Sequence, residues 1–351
     1  MPGNEALGVN NAVGQQADLA ITTHGSDWYF TVCAVMGVTT LAIMGAALRK
    51  PQSHRTFHYI TASITAVACI SYFSMGANLG QVPIQAEFLR TRKVGAAGTR
   101  EIFYARYIDW AITTPLLLLD LLLTAGVPTH TILVTLLADE IMVVTGLVGA
   151  LTRTSYKWGY WTFGMVALFF IAYELLWDAR RHAARLGGAA RTSFNTCGIY
   201  LVFIWFLYPI AWGLSEGGNV IHPDAEAAFY GVLDVFAKPI FGAILLWQHR
   251  NIAPANLGLH LRTRSELGAT GNTAGTGLHE KHPHDRHGVA SDVPGGGVGG
   301  TGGALSGTPA PAGGGVHHDG VHPEGPGPNV ASNPAATERN LFDQGSLCRN
   351  K

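Results

Sequence analysis

Cysteine and charge are both scarce in this chain of 351 residues. The four cysteines, Cys33, Cys69, Cys197 and Cys348, lack the spacing of a metal site, and three lie in apolar stretches, so we expect no disulfide framework. Basic and acidic residues number 23 each, and this neutral balance gives no indication of a nucleic-acid partner. We also expect no cleavable signal peptide, because residues 1–26 are polar and no basic region precedes the first apolar run.

The chain divides into parts of different composition. Residues 27–250 are rich in Leu, Ile, Val, Ala, Phe and Trp, whereas residues 251–351 are dominated by Gly, His, Pro, Thr and Asn, as in SDVPGGGVGGTGGALSG. Such a tail cannot bury enough apolar surface to offset its ordering entropy, so we expect it to be disordered. Its stretch HEKHPHDRH could capture a metal ion, but a solvated tail is the simpler interpretation.

Long apolar runs are what the sequence has in abundance. A helix needs about 20 mostly apolar residues to cross a bilayer, and seven stretches meet that requirement. Their ranges are 28–48, 57–79, 102–125, 129–151, 158–180, 195–214 and 225–248. The sequence therefore predicts an all-α membrane protein built as a seven-transmembrane-helix bundle.

The basic residues indicate an orientation for this bundle. Arg49 follows the first predicted span, Arg180 the fifth and Arg250 the seventh, and the positive-inside rule makes these sides cytoplasmic. Four basic residues in the loop 90–100 argue against this orientation, whereas the acidic connection SEGGNVIHPDAEA argues for it. We expect an integral, multi-pass protein of the plasma membrane, with residues 1–26 outside and the tail in the cytoplasm.

The third predicted span, ARYIDWAITTPLLLLDLLL, carries charges where water is absent. A charge at mid-bilayer costs about 2.5–3.5 kcal/mol on insertion scales, so Arg106, Asp109 and Asp120 need partners or a function. The two aspartates are eleven positions apart. This spacing places them on nearly the same helix face, with Asp120 about 16 Å further along the helix. Thr113 lies one turn from Asp109, close enough to hydrogen-bond it. The four residues form a polar file on one face.

The seventh predicted span, FYGVLDVFAKPIFGAILLW, carries Asp234 and Lys238 at i,i+4 spacing on one face. A lysine in an apolar pocket is a reactive amine, suited to Schiff-base formation with an aldehyde. One interpretation is a structural cluster that locks the third helix to the seventh, made of Arg106, Asp109, Asp234 and Lys238. The other is a proton path, which Asp120 favours because a lone membrane carboxyl is protonated at rest.

Aromatic residues at helical spacing suggest a ligand pocket. In FIWFLYPIAW, Trp205 and Trp212 are two turns apart with Tyr208 between them, and Trp110 and Trp161 lie in other spans. Plain packing is the commoner reason for such spacing. The mid-membrane amine makes a ligand pocket an equally good interpretation.

The stretches ARYIDWAITTPLLLLD, LDVFAKP and WFLYPIAWGLSEG together resemble the microbial rhodopsins, most of all the fungal opsins, with a pattern close to bacteriorhodopsin. The resemblance covers all seven spans, about residues 27–250. It implies all-trans retinal bound to Lys238 as a protonated Schiff base. It also implies that Asp109 is the primary counterion and proton acceptor and Asp234 the second counterion. Arg106 matches the arginine on the extracellular side of that complex.

The resemblance further implies a route for protons. Asp120 matches the cytoplasmic proton donor, and Thr61 matches the residue that hydrogen-bonds it. Glu216 and Glu226 match the pair that releases the proton outside. Phe103 stands where bacteriorhodopsin has a tyrosine near the release group, which makes early proton release less expected.

The resemblance also implies the walls of a retinal pocket. Asp139, Met142 and Gly146 match the wall near the ionone ring, and Tyr72 matches a tyrosine near the counterions. Trp161 stands where relatives with a carotenoid antenna have glycine, so no antenna is expected. The remaining pocket residues are Trp110, Leu117, Trp205, Tyr208 and Trp212. Ala68 replaces the histidine that couples to the counterion in proteorhodopsins, so a simple titration of Asp109 is expected.

The leading function is therefore a light-driven outward proton pump, a transporter and photoreceptor rather than an enzyme. The alternative is a sensory photoreceptor with a slow photocycle and little net transport. Asp120 favours the pump, whereas the long tail is compatible with signalling. A G-protein-type receptor does not predict these intramembrane acids, and an anion pump would lack the fixed charge of Asp109. The expected partners are the lipid bilayer and protons, and a homo-oligomer is compatible with the family.

Overall fold

The computed structural model describes residues 5–10, 17–88 and 98–252, together with residue 257. Within them, seven helices are long and apolar enough to cross a bilayer, which confirms the predicted seven-helix bundle. A short helix, α1 (Glu5–Val9), precedes them. The seven are α2 (Thr23–Leu48), α3 (Thr56–Gly76), α4 (Tyr104–Ala125), α5 (Thr129–Leu151), α6 (Lys157–Arg185), α7 (Gly188–Gly217) and α8 (Pro223–Gln248).

Local signals explain the turn between α4 and α5. Gly126 has φ of 63°, a left-handed conformation that glycine adopts without strain, and it ends α4. Pro128 is extended and precedes the first residue of α5, where the backbone has no helical partner to lose. The observed α5 therefore coincides with the predicted range 129–151.

A two-stranded antiparallel hairpin joins α3 to α4, and the sequence did not predict it. β1 (Gln81–Gln85) pairs with β2 (Thr99–Phe103) in a register that sets Gln81 opposite Phe103. The prediction 102–125 for the third span is therefore wrong at its first two residues, which belong to β2. This end of the bundle is named the hairpin end, and the end where α8 finishes is named the tail end.

Three of the long helices contain a wider π-helical turn. These turns are Glu174–Ala179 in α6, Gly213–Gly217 in α7 and Phe236–Ile240 in α8. The last one includes Lys238 and Pro239, and the proline removes one N–H from the helical ladder, which loosens the turn. The turns of α7 and α8 each carry a buried ionisable residue, as π-turns at functional sites often do.

The bundle is apolar on its outer surface and carries charges inside. Large apolar side chains such as Leu41, Leu133 and Phe203 are exposed on the outside. Arg106 and Lys238 are, in contrast, at most 1% exposed. A charged interior behind an apolar surface is the arrangement that a bilayer requires. The protein is thus an integral, multi-pass membrane protein.

The predicted tail, residues 251–351, lies almost entirely outside the described residues, as does its stretch HEKHPHDRH. Residues 89–97 of the basic loop are outside them as well. Two apolar residues at the start of the predicted tail are described, Ile252 and Leu257. Both are buried in the largest apolar cluster, at the tail end.

Candidate functional site

Lys238 lies between two aspartates in the centre of the bundle. Its Nζ forms a hydrogen-bonded ion pair with Asp109 Oδ2 of α4 and lies 3.4 Å from Asp234 Oδ2, one turn earlier on α8. All three side chains are essentially inaccessible to solvent. Two carboxylates around one cation stabilise its charged form in a buried site.

The two aspartates differ in how their oxygens are held. Tyr72 and Tyr208 each donate a hydroxyl hydrogen bond of 2.6 Å to Asp234, one to each oxygen. Asp109 Oδ1, in contrast, has no hydrogen-bond partner among the described residues. Thr113 was expected to hydrogen-bond Asp109, and it does so at the main-chain oxygen, at 2.8 Å, rather than at the carboxylate. Asp109 therefore keeps one oxygen free to take up a proton.

An apolar cavity opens from Lys238 into the bundle between α4, α5, α6, α7 and α8. The structure places nine of the ten predicted cofactor residues along it, namely Trp110, Leu117, Met142, Gly146, Trp161, Trp205, Tyr208, Trp212 and Lys238. Tyr72 does not line it and lies against Asp234 instead. The sequence did not reveal further lining residues, among them Tyr107, Thr114, Tyr160, Met165 and Tyr230.

Hydrogen bonds fix parts of the cavity wall. Trp212 Nε1 donates to Gly146 O at 3.2 Å, and Trp161 Nε1 donates to Pro209 O at 3.3 Å. Trp110 Nε1 is buried without a partner among the described residues. Asp139 lies behind the wall, where its Oδ2 accepts from the Thr114 hydroxyl at 2.7 Å. The wall is apolar and aromatic, and its reactive polar group is the amine of Lys238. These residues fit a conjugated aldehyde such as retinal.

Arg106 does not join the cluster around Lys238, so the four-residue cluster that one interpretation of the sequence proposed does not form. Its Nη1 donates to Glu226 Oε1 at 2.6 Å and to Glu216 Oε1 at 3.3 Å. The charges of the bundle thus form two separate groups, because two glutamates from α7 and α8 lie closer to the guanidinium than the aspartates. The structural-cluster interpretation in its four-residue form is wrong.

Aromatic rings enclose Arg106 at the hairpin end. Its Nη2 donates to Tyr29 OH at 2.8 Å, and its guanidinium carbon lies 4.2 Å from the centre of the Tyr230 ring. Phe103 packs edge-on against Tyr29, with ring centres 5.5 Å apart. The surrounding rings bury the guanidinium, and the low polarity of this setting strengthens the ion pairs of Arg106.

Glu216 and Glu226 have different partners. Arg100 of β2 donates to Glu226 Oε2 at 2.6 Å, so this carboxylate is held by two arginines. Glu216 instead accepts hydroxyl groups of Ser215, Tyr107 and Tyr230, the last two at 3.1 Å. Lys157 Nζ, also buried, donates to the main-chain oxygen of Glu216 at 3.0 Å.

Sequence reasoning missed Arg100 as a site residue and counted it only among the basic residues of the loop 90–100. It is 2% exposed and paired with Glu226. Only the hairpin brings it there, and no spacing in the sequence reveals that contact. Tyr29 and Lys157 were missed for the same reason, since both meet their partners across helices.

Asp120 lies apart from both charge groups, near the tail end of α4. Thr61 Oγ1 lies 3.2 Å from Asp120 Oδ2 and 2.7 Å from Phe57 O, its own helix carbonyl. Asp120 Oδ1 has no hydrogen-bond partner among the described residues, and none of their basic groups forms an ion pair with this carboxyl. A Cβ at Gly242 would collide with the Thr61 methyl, so glycine lets α8 approach α3 here.

Comparison with known proteins agrees with this architecture. The family model described as bacteriorhodopsin-like protein matches residues 24–252. The "Opsin-like protein carO" of Fusarium fujikuroi is 57% identical over 265 residues, which cover 75% of this chain and 86% of that protein.

Two solved structures share the fold. That of a light-driven proton pump from Leptosphaeria maculans is 38% identical, has a TM-score of 0.63 and covers 67% of this chain and 99% of its own. That of the light-driven proton pump of Coccomyxa subellipsoidea is 36% identical, with a TM-score of 0.62 and coverage of 66% and 99%. Members of this family bind retinal through a lysine. The chain belongs to the bacteriorhodopsin-like family of microbial rhodopsins and, within it, to the fungal opsins.

Proposed function

We propose that this protein is a light-driven outward proton pump with retinal bound covalently to Lys238. The observation that carries the proposal is the contrast between two buried carboxyls of α4. Asp109 is paired with Lys238, whereas Asp120 has, among the described residues, only the Thr61 hydroxyl as a side-chain partner. They lie about 16 Å apart along the helix, one on the way to each end of the bundle. Such a pair supplies an acceptor and a donor for one proton-carrying nitrogen.

Joined to the Lys238 nitrogen through its aldehyde carbon, with loss of water, retinal supplies light absorption and an isomerisation that redirects that nitrogen. The aromatic wall holds it in one orientation and keeps water away. Asp109 and Asp234 stabilise the positive charge on the nitrogen in the dark.

Asp109 is the better proton acceptor of the two aspartates. Tyr72 and Tyr208 donate hydrogen bonds to both oxygens of Asp234, so neither oxygen is left without a partner. Asp109 Oδ1 has no hydrogen-bond partner in the part of the chain that the structure describes, and Asp109 Oδ2 contacts Lys238 directly. The proton that leaves the Lys238 nitrogen therefore passes to Asp109.

The glutamate pair releases a proton at the hairpin end. Two arginines hold Glu226 as an anion, whereas Glu216 has one arginine at 3.3 Å and three hydroxyl partners. We assign the released proton to Glu216 for this reason. Arg106 lies within reach of both carboxylates, so it can respond when the charge of Asp109 is neutralised.

Asp120 returns a proton to the Lys238 nitrogen from the tail end. An ionised carboxyl in this apolar setting has no compensating cation among the described residues, so Asp120 carries its proton at rest. It gives that proton up once the Lys238 nitrogen is deprotonated and turned toward it. Thr61 stabilises the transient anion through its hydroxyl.

The direction of transport follows from the orientation in the membrane. Arg49, Arg180 and Arg250 are exposed at the tail end, which the positive-inside rule makes cytoplasmic. Arg100, which argued against this orientation from sequence, is buried and neutralised by Glu226. The hairpin end therefore faces outward, and we place the protein in the plasma membrane.

The test is light-induced pH change in suspended cells that express the protein and receive retinal. A pump acidifies the medium in light, and a protonophore abolishes the change. A visible pigment that cycles in light without any acidification would instead favour the sensory photoreceptor.

A further inference from the structure

A buried histidine lies at the tail end, one helical turn beyond Asp120. His249 follows α8 and is 9% exposed. Its Nε2 lies 2.9 Å from Thr124 Oγ1, and Thr124 Oγ1 lies 2.7 Å from the main-chain oxygen of Asp120. Thr124 is four residues after Asp120, so their side chains share a face of α4. The imidazole is thus linked to the turn that carries the isolated carboxyl.

The remaining contacts of the ring define its protonation states. His249 Nδ1 lies 2.8 Å from Leu245 O, a pure acceptor, so Nδ1 carries a hydrogen. In the neutral ring Nε2 is then bare and accepts the Thr124 hydroxyl hydrogen. In the charged ring Nε2–H donates to Thr124 Oγ1, whose own hydrogen turns to Asp120 O. When His249 gains one proton, the direction of the hydrogen bond between its Nε2 and Thr124 Oγ1 is therefore reversed.

We propose that His249 is the proton-uptake residue that reloads Asp120 from the cytoplasm. The inference rests on the proposed pump and deepens it. One proton binds to the imidazole from bulk water, one leaves it for the carboxylate of Asp120, whose main-chain oxygen Thr124 contacts, and the ring returns to its neutral form. No electrons are transferred.

The surroundings suit a group that is neutral in the dark. Burial lowers the pKa of His249 below its usual range, against the hydrogen bond to Leu245 O, which raises it, and the neighbouring His58 of α3 lowers it further. Phe57 stacks on the ring at 4.3 Å, and Ser193 Oγ of α7 lies 3.5 Å from Nδ1. Apart from His58, the side chains named against the ring do not titrate.

The photocycle supplies the charge that recruits the proton. While Asp120 is protonated, no carboxylate among the described residues forms an ion pair with the imidazole. Once Asp120 has given its proton to the Lys238 nitrogen, a carboxylate stands one turn from Thr124 and favours a charged ring. The neighbouring Arg250 points away, since its guanidinium lies 4.0 Å from the Trp247 ring centre. Proton uptake by His249 is thereby tied to the part of the photocycle in which Asp120 is deprotonated.

The test compares His249→Gln with wild type in retinal-loaded protein. Glutamine keeps hydrogen-bonding groups but cannot carry a proton. His182→Gln is the matched control, because His182 is also near the tail end and, within the described ranges, pairs only with Asp178 of its own helix. Dye-detected proton uptake and the infrared C=O band of protonated Asp120 are followed after a flash, between pH 5 and pH 9.

We expect His249→Gln to leave the dark spectrum and the Asp120-to-Lys238 transfer unchanged. Reloading of Asp120 should slow at least about tenfold at pH 8, as for the loss of a general acid, and its rate should fall as pH rises. Added imidazole, a diffusible carrier, should restore it. His182→Gln should behave as wild type.

Reloading of Asp120 at the wild-type rate in His249→Gln would overturn the inference, as would slowing by the same factor at every pH. If His249→Gln fails to form pigment, Thr124→Val removes the link while keeping the imidazole, and unchanged reloading there would also overturn it. A wild type that does not acidify the medium contradicts the pump itself, so the two failures are distinct.

Discussion

Arg100 Nη2 lies 2.6 Å from Glu226 Oε2, and this contact ties the β hairpin to the first turn of α8. Arg100 also donates to Asn219 Oδ1 at 2.7 Å and to Ile221 O at 2.8 Å, both in the connection between α7 and α8. A residue outside the membrane helices therefore fixes the carboxylate that Arg106 also holds. The outer end of the site depends on the hairpin as much as on the helices.

Breaking this contact should cost stability and disturb proton release. Arg100→Gln leaves Glu226 with one arginine, and loss of one partner of a buried ion pair typically costs about 3–5 kcal/mol. We expect the pigment to bleach at a lower temperature and proton release to be delayed. The double variant Arg100→Gln/Glu226→Gln should recover part of the stability, since no carboxylate is then left short of a cation. Equal losses in the single and double variants would contradict an ionic role for Arg100.

Replacing Lys238 should abolish the visible pigment. Lys238→Ala removes the amine that faces the aromatic cavity. Lys157→Gln is the control, because Lys157 is also buried but donates to Glu216 O at the hairpin end. Absorbance after addition of retinal is the measurement. A normal visible band in Lys238→Ala, or its loss in Lys157→Gln alone, would refute the assignment of the binding lysine.

Asp109→Asn should shift the visible band to the red or deprotonate the Lys238 nitrogen near neutral pH, and pumping should stop. The reason is loss of the anion in direct contact with Lys238. In the wild type, acidification should redden the pigment as Asp109 takes up a proton. Spectra recorded across the acid range check both statements. Coincident titrations of wild type and variant would exclude Asp109 as the counterion.

Asp120→Asn should leave the dark spectrum almost unchanged, because the carboxyl lies about 16 Å along α4 from Asp109. Return of a proton to the Lys238 nitrogen should slow and become slower as pH rises, since the proton now comes from bulk water. Azide, a small proton carrier, should restore the rate. Thr61→Val, which keeps the carboxyl and removes its hydrogen bond, should have a smaller effect in the same flash experiment. A wild-type rate at every pH in Asp120→Asn would remove it from the proton path and favour the sensor.

Glu101 should make the stability of the outer end depend on pH. It is buried in β2, outside the membrane helices, and its Oε2 accepts the Ile21 N–H at 2.8 Å. Burial raises its pKa from 4.5 to about 7, with Glu226 and Asp224 adding to the effect, against the Ile21 hydrogen bond and Arg100, which lower it. The folded protein thus holds this proton more tightly than the unfolded chain does.

The stability contributed by protonated Glu101 is complete below about pH 4.5 and is lost as pH rises to about 7, by up to about 3 kcal/mol. Thermal denaturation across this range is the measurement. Glu101→Gln, which stays neutral, should remove that part of the pH dependence. An unchanged pH profile in the variant would show that Glu101 does not titrate in this window.

The sequence by itself determined the features that depend on local periodicity. Length and apolarity define the seven spans, and 3.6 residues per turn put Asp109 and Asp120 on one face of α4 and Asp234 beside Lys238 on α8. The motifs around these residues were specific enough to identify the family. They also located nine of the residues along the cavity, the aromatic residues of α7 by their helical spacing and others, such as Met142 and Gly146, by the family resemblance.

The tertiary structure decided which groups meet across elements. Arg106 pairs with Glu216 and Glu226 rather than with the aspartates, and Arg100 reaches Glu226 only because the hairpin folds over the bundle. His249 becomes a neighbour of Thr124 only where α8 ends against α4. The physical reason is that spacing along one helix sets a face, whereas the rotation, depth and connections of several helices set the partners that a buried charge requires.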